Sequence, residues 1–375
     1  MNVVKLKELS INNRGYYGIG APAINYDKNK FVYLRITDIK DDGEINKDSL
    51  MSVEDSKASQ YILEKNDIVF ARTGASTGRN YFYDGEIQNM VYAGFLIKFS
   101  LNSNLVNPRY VKYYCLSPKY KDWIYSSLTG STRPNINEKQ LSEMPIELPE
   151  RTYQDKVVKI LDSITKKIEL NNKLNNNLYE ILTTLYKESL NNIKSKEEKT
   201  LDEFCNIFTG KKNANEYDEY GKNKFFTCGD KTLKINSYIY NGPAIIISGN
   251  GSYTGRTQFY NGKFDLYQRT YACTIKNDVN EDYIYALYTI VKNELVNKIS
   301  GGTHGSAIPY IVMNDLAKFK IYFDDESLKK LSRQAKIILQ KIQLNDEENE
   351  TLSQLRDTLL PKLMNGEIDL DKIEF

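Results

Sequence analysis

Two stretches of this 375-residue chain are too long and too regularly apolar along one stripe to be anything but extended helices that need a partner. The first runs from about Tyr153 to Asn192. Its stripe is Val157, Leu161, Ile164, Ile168, then Asn171 and Asn175, then Leu178, Leu182 and Leu185. The steps alternate four and three, the spacing that keeps one seam of a helix against a neighbouring helix. The second runs from about Glu326 to Leu360, with the stripe Leu331, Ala335, Ile338, Ile342, Asn345, Asn349, Leu352, Arg356 and Leu359. Each position lies 174 residues after its counterpart, without a gap, and the asparagine pair recurs in register. At 1.5 Å per residue each helix spans about 50–60 Å. The twin is the expected partner, and the seam asparagines weaken the pairing while fixing its register and orientation.

The regions before the helices repeat more loosely. Ile68–Arg79 (IVFARTGASTGR) parallels Ala244–Arg256 (AIIISGNGSYTGR): an apolar strand, a Gly/Ser/Thr turn, then Gly-Arg. Gly130–Pro149 likewise parallels Gly305–Phe323, each with Gly-Ser, then a proline, then a short segment leading to its helix. Strand-like runs stand at Phe31–Ile36, Asp67–Arg72, Phe95–Phe99 and Ala244–Ser248, and helix-like ones at Pro108–Leu116 and Glu281–Lys292. The expected fold is therefore mixed α/β, with two globular domains separated by two long helices in an antiparallel coiled coil and a pseudo-two-fold internal repeat. The expected boundaries are 1–152 for the first domain, 153–193 for the first helix, 194–325 for a linker and second domain, and 326–375 for the second helix and tail. Within this scheme the charged segment Lys194–Thr200 reads as a linker. Pro361 is expected to end or kink the second helix, and Asn365-Gly366 to stop it.

A mean hydropathy of −0.54 and the absence of any apolar run of about 18 residues point to a soluble chain with no membrane span. The first residues lack the apolar core of a signal peptide, so a cytoplasmic location is expected. Four scattered cysteines read as reduced thiols, not a zinc site. One histidine, His304, leaves little room for His-based catalysis, and no phosphate loop, GxSxG elbow or HExxH occurs. The chain reads as non-catalytic, with no metal and no cofactor of its own.

A net charge of only +2 means that any nucleic-acid footprint must come from the placement of charges. Arginine is scarce, 11 of 51 basic residues, so its position is informative. Arg72 and Arg79 flank the first Gly/Ser/Thr loop, Arg133 sits in a second loop, and Arg256 matches the first Gly-Arg. Base edges are read by forked or amide groups, with Ser and Thr adaptable, and Gly-rich loops bring backbone N–H groups to phosphates. The candidate DNA contacts are therefore Arg72, Thr73, Ser76, Thr77, Arg79 and Asn80 in one loop, and Ser131, Thr132, Arg133 and Asn135 in the next. In the second domain they are Asn250, Ser252, Tyr253, Thr254 and Arg256, with His304 and Ser306. Each loop taken singly also reads as an ordinary strand connection whose glycines serve turn geometry.

Three segments carry a family resemblance: Asp67–Arg79 (DIVFARTGASTGR), Met144–Val157 (MPIELPERTYQDKV) and Leu355–Leu370 (LRDTLLPKLMNGEIDL). With the domain–helix–domain–helix plan, they resemble the DNA-specificity subunits of type I restriction–modification systems. The resemblance implies two target-recognition domains, each reading one half of a split site in double-stranded DNA. It implies docking of two methyltransferase subunits, which two restriction/translocase subunits can join. S-adenosylmethionine, ATP and magnesium would belong to those partners. A specificity subunit of a type IIB-like enzyme and a structural coiled-coil adaptor are the competing readings.

Overall fold

The computed structural model describes residues 2–128, 134–193, 197–299 and 310–372. The chain forms two compact units, Met1–Lys167 with Thr351–Phe375, and Ile168–Glu350. The long helices, Arg151–Asn192 and Asp325–Met364, thus each contribute one part to each unit. Among the described residues no helix is long and apolar enough to cross a membrane.

In the first unit the strand Asp67–Ala71 is buried along its whole length, because both of its faces are covered. Ile68 and Phe70 join a core with Tyr110, Tyr113, Ile124 and the helix residues Val157 and Leu161. Val69 and Ala71 point the other way, into a second core with Val32, Leu34, Tyr81 and Leu96. The alternation follows from the two-residue period of a strand. This strand is central in a four-stranded antiparallel sheet, between Leu96–Ser100 and Asn80–Tyr83, with Tyr16–Tyr17 at one edge. A three-stranded sheet of Met51–Val53, Phe31–Leu34 and Met90–Tyr92 stands apart from it in the same unit.

The second unit repeats the arrangement in a six-stranded mixed sheet. Ile245 and Ile247 of the strand Tyr240–Ser248 pack with the helix Tyr283–Ile299 and with Leu182, Leu331 and Ala335. Ala244 and Ile246 face Phe226, Phe264 and Leu266 on the other side. The mixed α/β reading and the strand and helix cores read from sequence stand. The helix Pro118–Leu128, which buries Tyr120 and Ile124, is not among the helices read from sequence.

The long helices run antiparallel as a coiled coil. In the first unit Tyr153 Oη donates to Leu363 O (2.9 Å), and Val157 and Leu161 share a core with Leu360 and Leu363. In the second unit Asn171 Nδ2 donates to Asn349 Oδ1 (3.0 Å) and Glu348 (2.8 Å), while Asn345 Nδ2 donates to Asn175 Oδ1 (2.7 Å). The seam residues Val157, Leu161, Ile164, Asn171, Asn175, Leu331, Ala335, Ile342 and Asn345 are buried; Ile168, Leu178, Ile338, Asn349 and Leu352 are half-buried. The buried stripe is broader than one seam. Val158, Tyr186, Leu328, Leu339 and Leu360 are buried as well, because these stretches also pack into the globular cores.

Two sequence expectations fail here. The segment read as a linker, Lys194–Thr200, contains the strand Glu197–Thr200, which pairs antiparallel with Lys320–Phe323; residues 194–196 lie outside the described residues. Its charges sit on an exposed two-stranded ribbon, where side-chain charge does not oppose pairing. At Pro361, where an end or a kink is expected, the second helix does not end but runs through to Met364. Leu360, Leu363 and Met364 are buried, and their packing outweighs the one hydrogen bond that the proline removes. The stop comes at Asn365-Gly366 as expected. Gly366, at φ +69, donates to Leu363 O (3.2 Å), and Glu367 N donates to Lys362 O (2.9 Å). This is the paired bond of a left-handed helix cap.

Beside the seam asparagines, Asp346 is a pH-sensitive point of the second unit. Its flank is exposed, but its carboxyl group accepts from Asn175 Nδ2 (2.7 Å) and is pushed up to about 6, first by burial and then by the neighbouring Glu350. The folded state thus holds this proton more tightly than the unfolded chain, whose carboxyl titrates near 3.8. Stability contributed here is present at acid pH and is lost as pH rises through about 4 to about 6. Asp346→Asn keeps the acceptor and removes the charge. Urea titrations should show it more stable than the wild type by about 1 kcal/mol at pH 7 and equal to it near pH 3, the open flank limiting the gain.

Candidate nucleic-acid interface

Each central strand ends in a loop, and the two loops share one backbone plan. In the first unit Thr77 N and Oγ1 both donate to Gly74 O (3.0 and 2.7 Å), Gly78 N donates to Ala71 O (2.9 Å), and Arg79 N to Ser76 O (2.9 Å). In the second unit Thr254 N and Oγ1 both donate to Gly251 O (3.1 and 2.7 Å), Gly255 N to Ser248 O (2.8 Å), and Arg256 N to Tyr253 O (2.9 Å). The glycines are required. Gly74, Gly78, Gly251 and Gly255 all have φ between +71 and +89, a region that other residues enter only at a cost.

A second segment closes each loop. Ile136 N donates to Arg72 O (2.9 Å) and Asn135 bridges to Thr73; Ile311 N donates to Gly249 O (2.8 Å) and Tyr310 bridges to Asn250. The pairs of segments that repeat in sequence therefore meet in space within each unit.

The side chains fall into two groups. Some brace the loop. Asn80, read as a DNA contact, is turned inward, 4% exposed, with Nδ2 donating to Cys115 O (2.8 Å). Ser76 is buried, and Thr77 and Thr254 use their hydroxyls within the loop. Arg79 forks onto Asp41 (2.7 and 3.2 Å) and donates to Ile39 O (3.2 Å). Arg256 donates to Asp230 O (2.9 Å) and Gln258 Oε1 (3.2 Å), lies over the Tyr253 ring at 5.1 Å, and has its pKa lowered, chiefly by burial.

Others face outward. Thr73 and Asn250 are half-buried at the loop edges, and Asn135, Ser252 and Tyr253 are exposed. Arg72 is half-buried, with its guanidinium over the ring of Tyr17 at 5.0 Å. Ser131, Thr132, Arg133, His304 and Ser306 lie outside the described residues.

Sequence reasoning missed part of this surface. Tyr17 and Phe95 stand beside Arg72, where Arg72 N donates to Phe95 O (3.0 Å), and both rings are exposed. In the second unit Arg269 holds the place of Phe95, its carbonyl accepting from Gly249 N (2.9 Å). A faint signal existed in Tyr17-Gly18 and Thr209-Gly210. A Cβ on Gly18 would sit 2.2 Å from Tyr92 O, and one on Gly210 1.8 Å from Leu266 O, so only glycine fits either strand end. Among the described residues no group of three His, Cys, Asp or Glu side chains could hold a metal ion.

The family profile described as the type I restriction modification DNA specificity domain matches this chain twice, over residues 1–180 and 193–353. The chain belongs to that family. Among specificity subunits of type I restriction enzymes, it is 31% identical to EcoDI of Escherichia coli over 176 residues, 45% of this chain and 37% of that one. It is 27% identical to HindI of Haemophilus influenzae over 162 residues, 42% of this chain and 32% of that one. The alignments thus span only about a third of the length of these relatives. The fold is that of the type I restriction–modification S subunit from M. genitalium, with a TM-score of 0.57 at 18% identity over 96% of this chain and 95% of that one. Both halves of the internal repeat thus match the same family profile, and the two loops lie one in each matched segment.

Proposed function

We propose that this chain is the non-catalytic specificity subunit of a type I restriction–modification complex, reading a split site in duplex DNA with one domain for each half. One observation carries the reading. The two loops keep the same backbone bonds while their outward side chains differ: Arg72, Thr73 and Ala75 in one, Gly249, Asn250 and Ser252 in the other. A shared frame with unlike side chains is what two readers of unlike half-sites require, since base edges discriminate by side-chain chemistry.

In this reading residues 1–152 and 194–325 are the two target-recognition domains, and the coiled coil sets the separation of the half-sites. Methyltransferase subunits bring S-adenosylmethionine, restriction/translocase subunits bring ATP and magnesium, and the assembly works in the cytoplasm. Methylome sequencing of the host with and without this chain tests it. A split methylation motif should vanish when the chain is removed. Replacing residues 2–150 by the matching segment of another family member should change one half of that motif and spare the other. Loss of both halves in a folded chimera would sink the modular reading.

A further inference from the structure

The two arginines that the repeat places alike, Arg79 and Arg256, both have their terminal nitrogens engaged within their own unit. Arg72 does not. It is the first residue beyond the buried strand Asp67–Ala71, and among the described residues nothing accepts a hydrogen bond from its guanidinium. Its Nε, like that of Arg256, is shut off from water and has no partner among the described residues. Among the described residues the terminal nitrogens form a free fork. A donor shut off from water in this way is unfavourable until an acceptor meets it.

The fork is also held in place. The Tyr17 ring lies 5.0 Å from the guanidinium carbon, and Tyr17 Oη in turn accepts from Glu138 N (3.1 Å). Stacking on a ring fixes the plane of a guanidinium, and less side-chain freedom is lost when it binds. Phe95, whose carbonyl accepts from Arg72 N (3.0 Å), is 60% exposed. A planar cation over an aromatic ring offers the flat two-point fork that O6 and N7 on a guanine edge accept.

We propose that Arg72 is a specificity-determining residue, its forked guanidinium bonding O6 and N7 of one guanine in the half-site read by the first domain. The second domain has no counterpart. The matching place is Gly249, where a Cβ would lie 2.4 Å from Arg269 O, so no side chain can occupy it. This assignment rests on the reading that the first domain binds half of a split DNA site.

The test is the methylation motif of a host carrying the full chain as wild type, Arg72→Lys or Arg72→Ala. Both variants should lose about ten- to a hundred-fold of the preference for guanine at one position of one half-site, with the other half-site unchanged. The wild-type chain can be tested without mutation, on duplexes carrying 7-deazaguanine at that position. Removing N7 should weaken its binding, while Arg72→Ala should not distinguish 7-deazaguanine from guanine. A motif unchanged in Arg72→Ala would overturn the assignment. So would a uniform loss across all bases, the mark of a phosphate contact. A wild-type chain that yields no split motif would overturn the underlying reading instead.

Discussion

Gly78→Ala is expected to destabilise the first unit by about 3 kcal/mol, more than a methyl group added at any of the other three loop glycines with positive φ, Gly74, Gly251 and Gly255. Two costs combine. At φ +89 an alanine is strained whatever the space around it. Its Cβ would also lie 2.7 Å from Ile124 Cγ2, and Ile124 is only 8% exposed in the core beneath the loop, so it has little room to retreat. Tyr120 Oη donates to Gly78 O (2.6 Å), which ties the same peptide to that core. Two related substitutions separate the terms. Gly255→Ala meets Val296 Cγ2 at 3.2 Å, but Val296 is 56% exposed and can give way. Gly74→Ala has nothing within 4 Å and carries only backbone strain at φ +71, about 1 kcal/mol. Denaturant titration of the full chain should rank them Gly78, Gly255, Gly74. Equal losses for Gly78→Ala and Gly74→Ala would show that the clash with Ile124 is relieved at no cost.

Asn345→Ala should cost about 2–3 kcal/mol, more than its size suggests. Asn345 is 1% exposed, and its amide supplies the donor to Asn175 Oδ1. Truncation leaves that oxygen buried without a partner and opens a small void. Asn175→Ala is costly for the mirrored reason, since Asn345 Nδ2 is then orphaned. The double variant should lose less than the sum of the two, because removing both partners removes the orphan. A double-mutant cycle should show a coupling of about 1 kcal/mol or more. Strict additivity would mean that water or another side chain replaces each partner, and that the asparagines do not act as a pair. If they do, the layer is what holds register, because a one-heptad slip would bury each asparagine against aliphatic residues.

The candidate surface was legible in part, and unevenly. Gly/Ser/Thr-rich composition and repeat position located both loops, because glycine at positive φ is a local demand that leaves a local mark. Which loop side chain faces out was not legible. Asn80 and Arg79 carry the chemistry of DNA contacts, yet one bonds Cys115 O and the other Asp41, partners 35 and 38 residues away. Tyr17 and Phe95 were invisible for the same reason, since they reach the loop by strand pairing rather than along the chain.

By itself the sequence determined the two long helices, their common offset, the asparagine layer and the repeated strand–loop frame. These follow from periodicity and from backbone demands that a few neighbouring residues satisfy. Tertiary structure alone decided the rest. It extended the second helix through Pro361, because buried leucines in the last turn outweigh a missing N–H. It drew Glu197–Thr200 into a strand, because Lys320–Phe323 lies alongside to pair with it. And it set Arg72 apart from Arg79, because an acid 38 residues upstream satisfies Arg79 and, among the described residues, no acceptor does so for Arg72. Whether an arginine braces a loop or faces outward depends on what the fold brings within about 3 Å of it, and chain-local pattern holds no record of that distance.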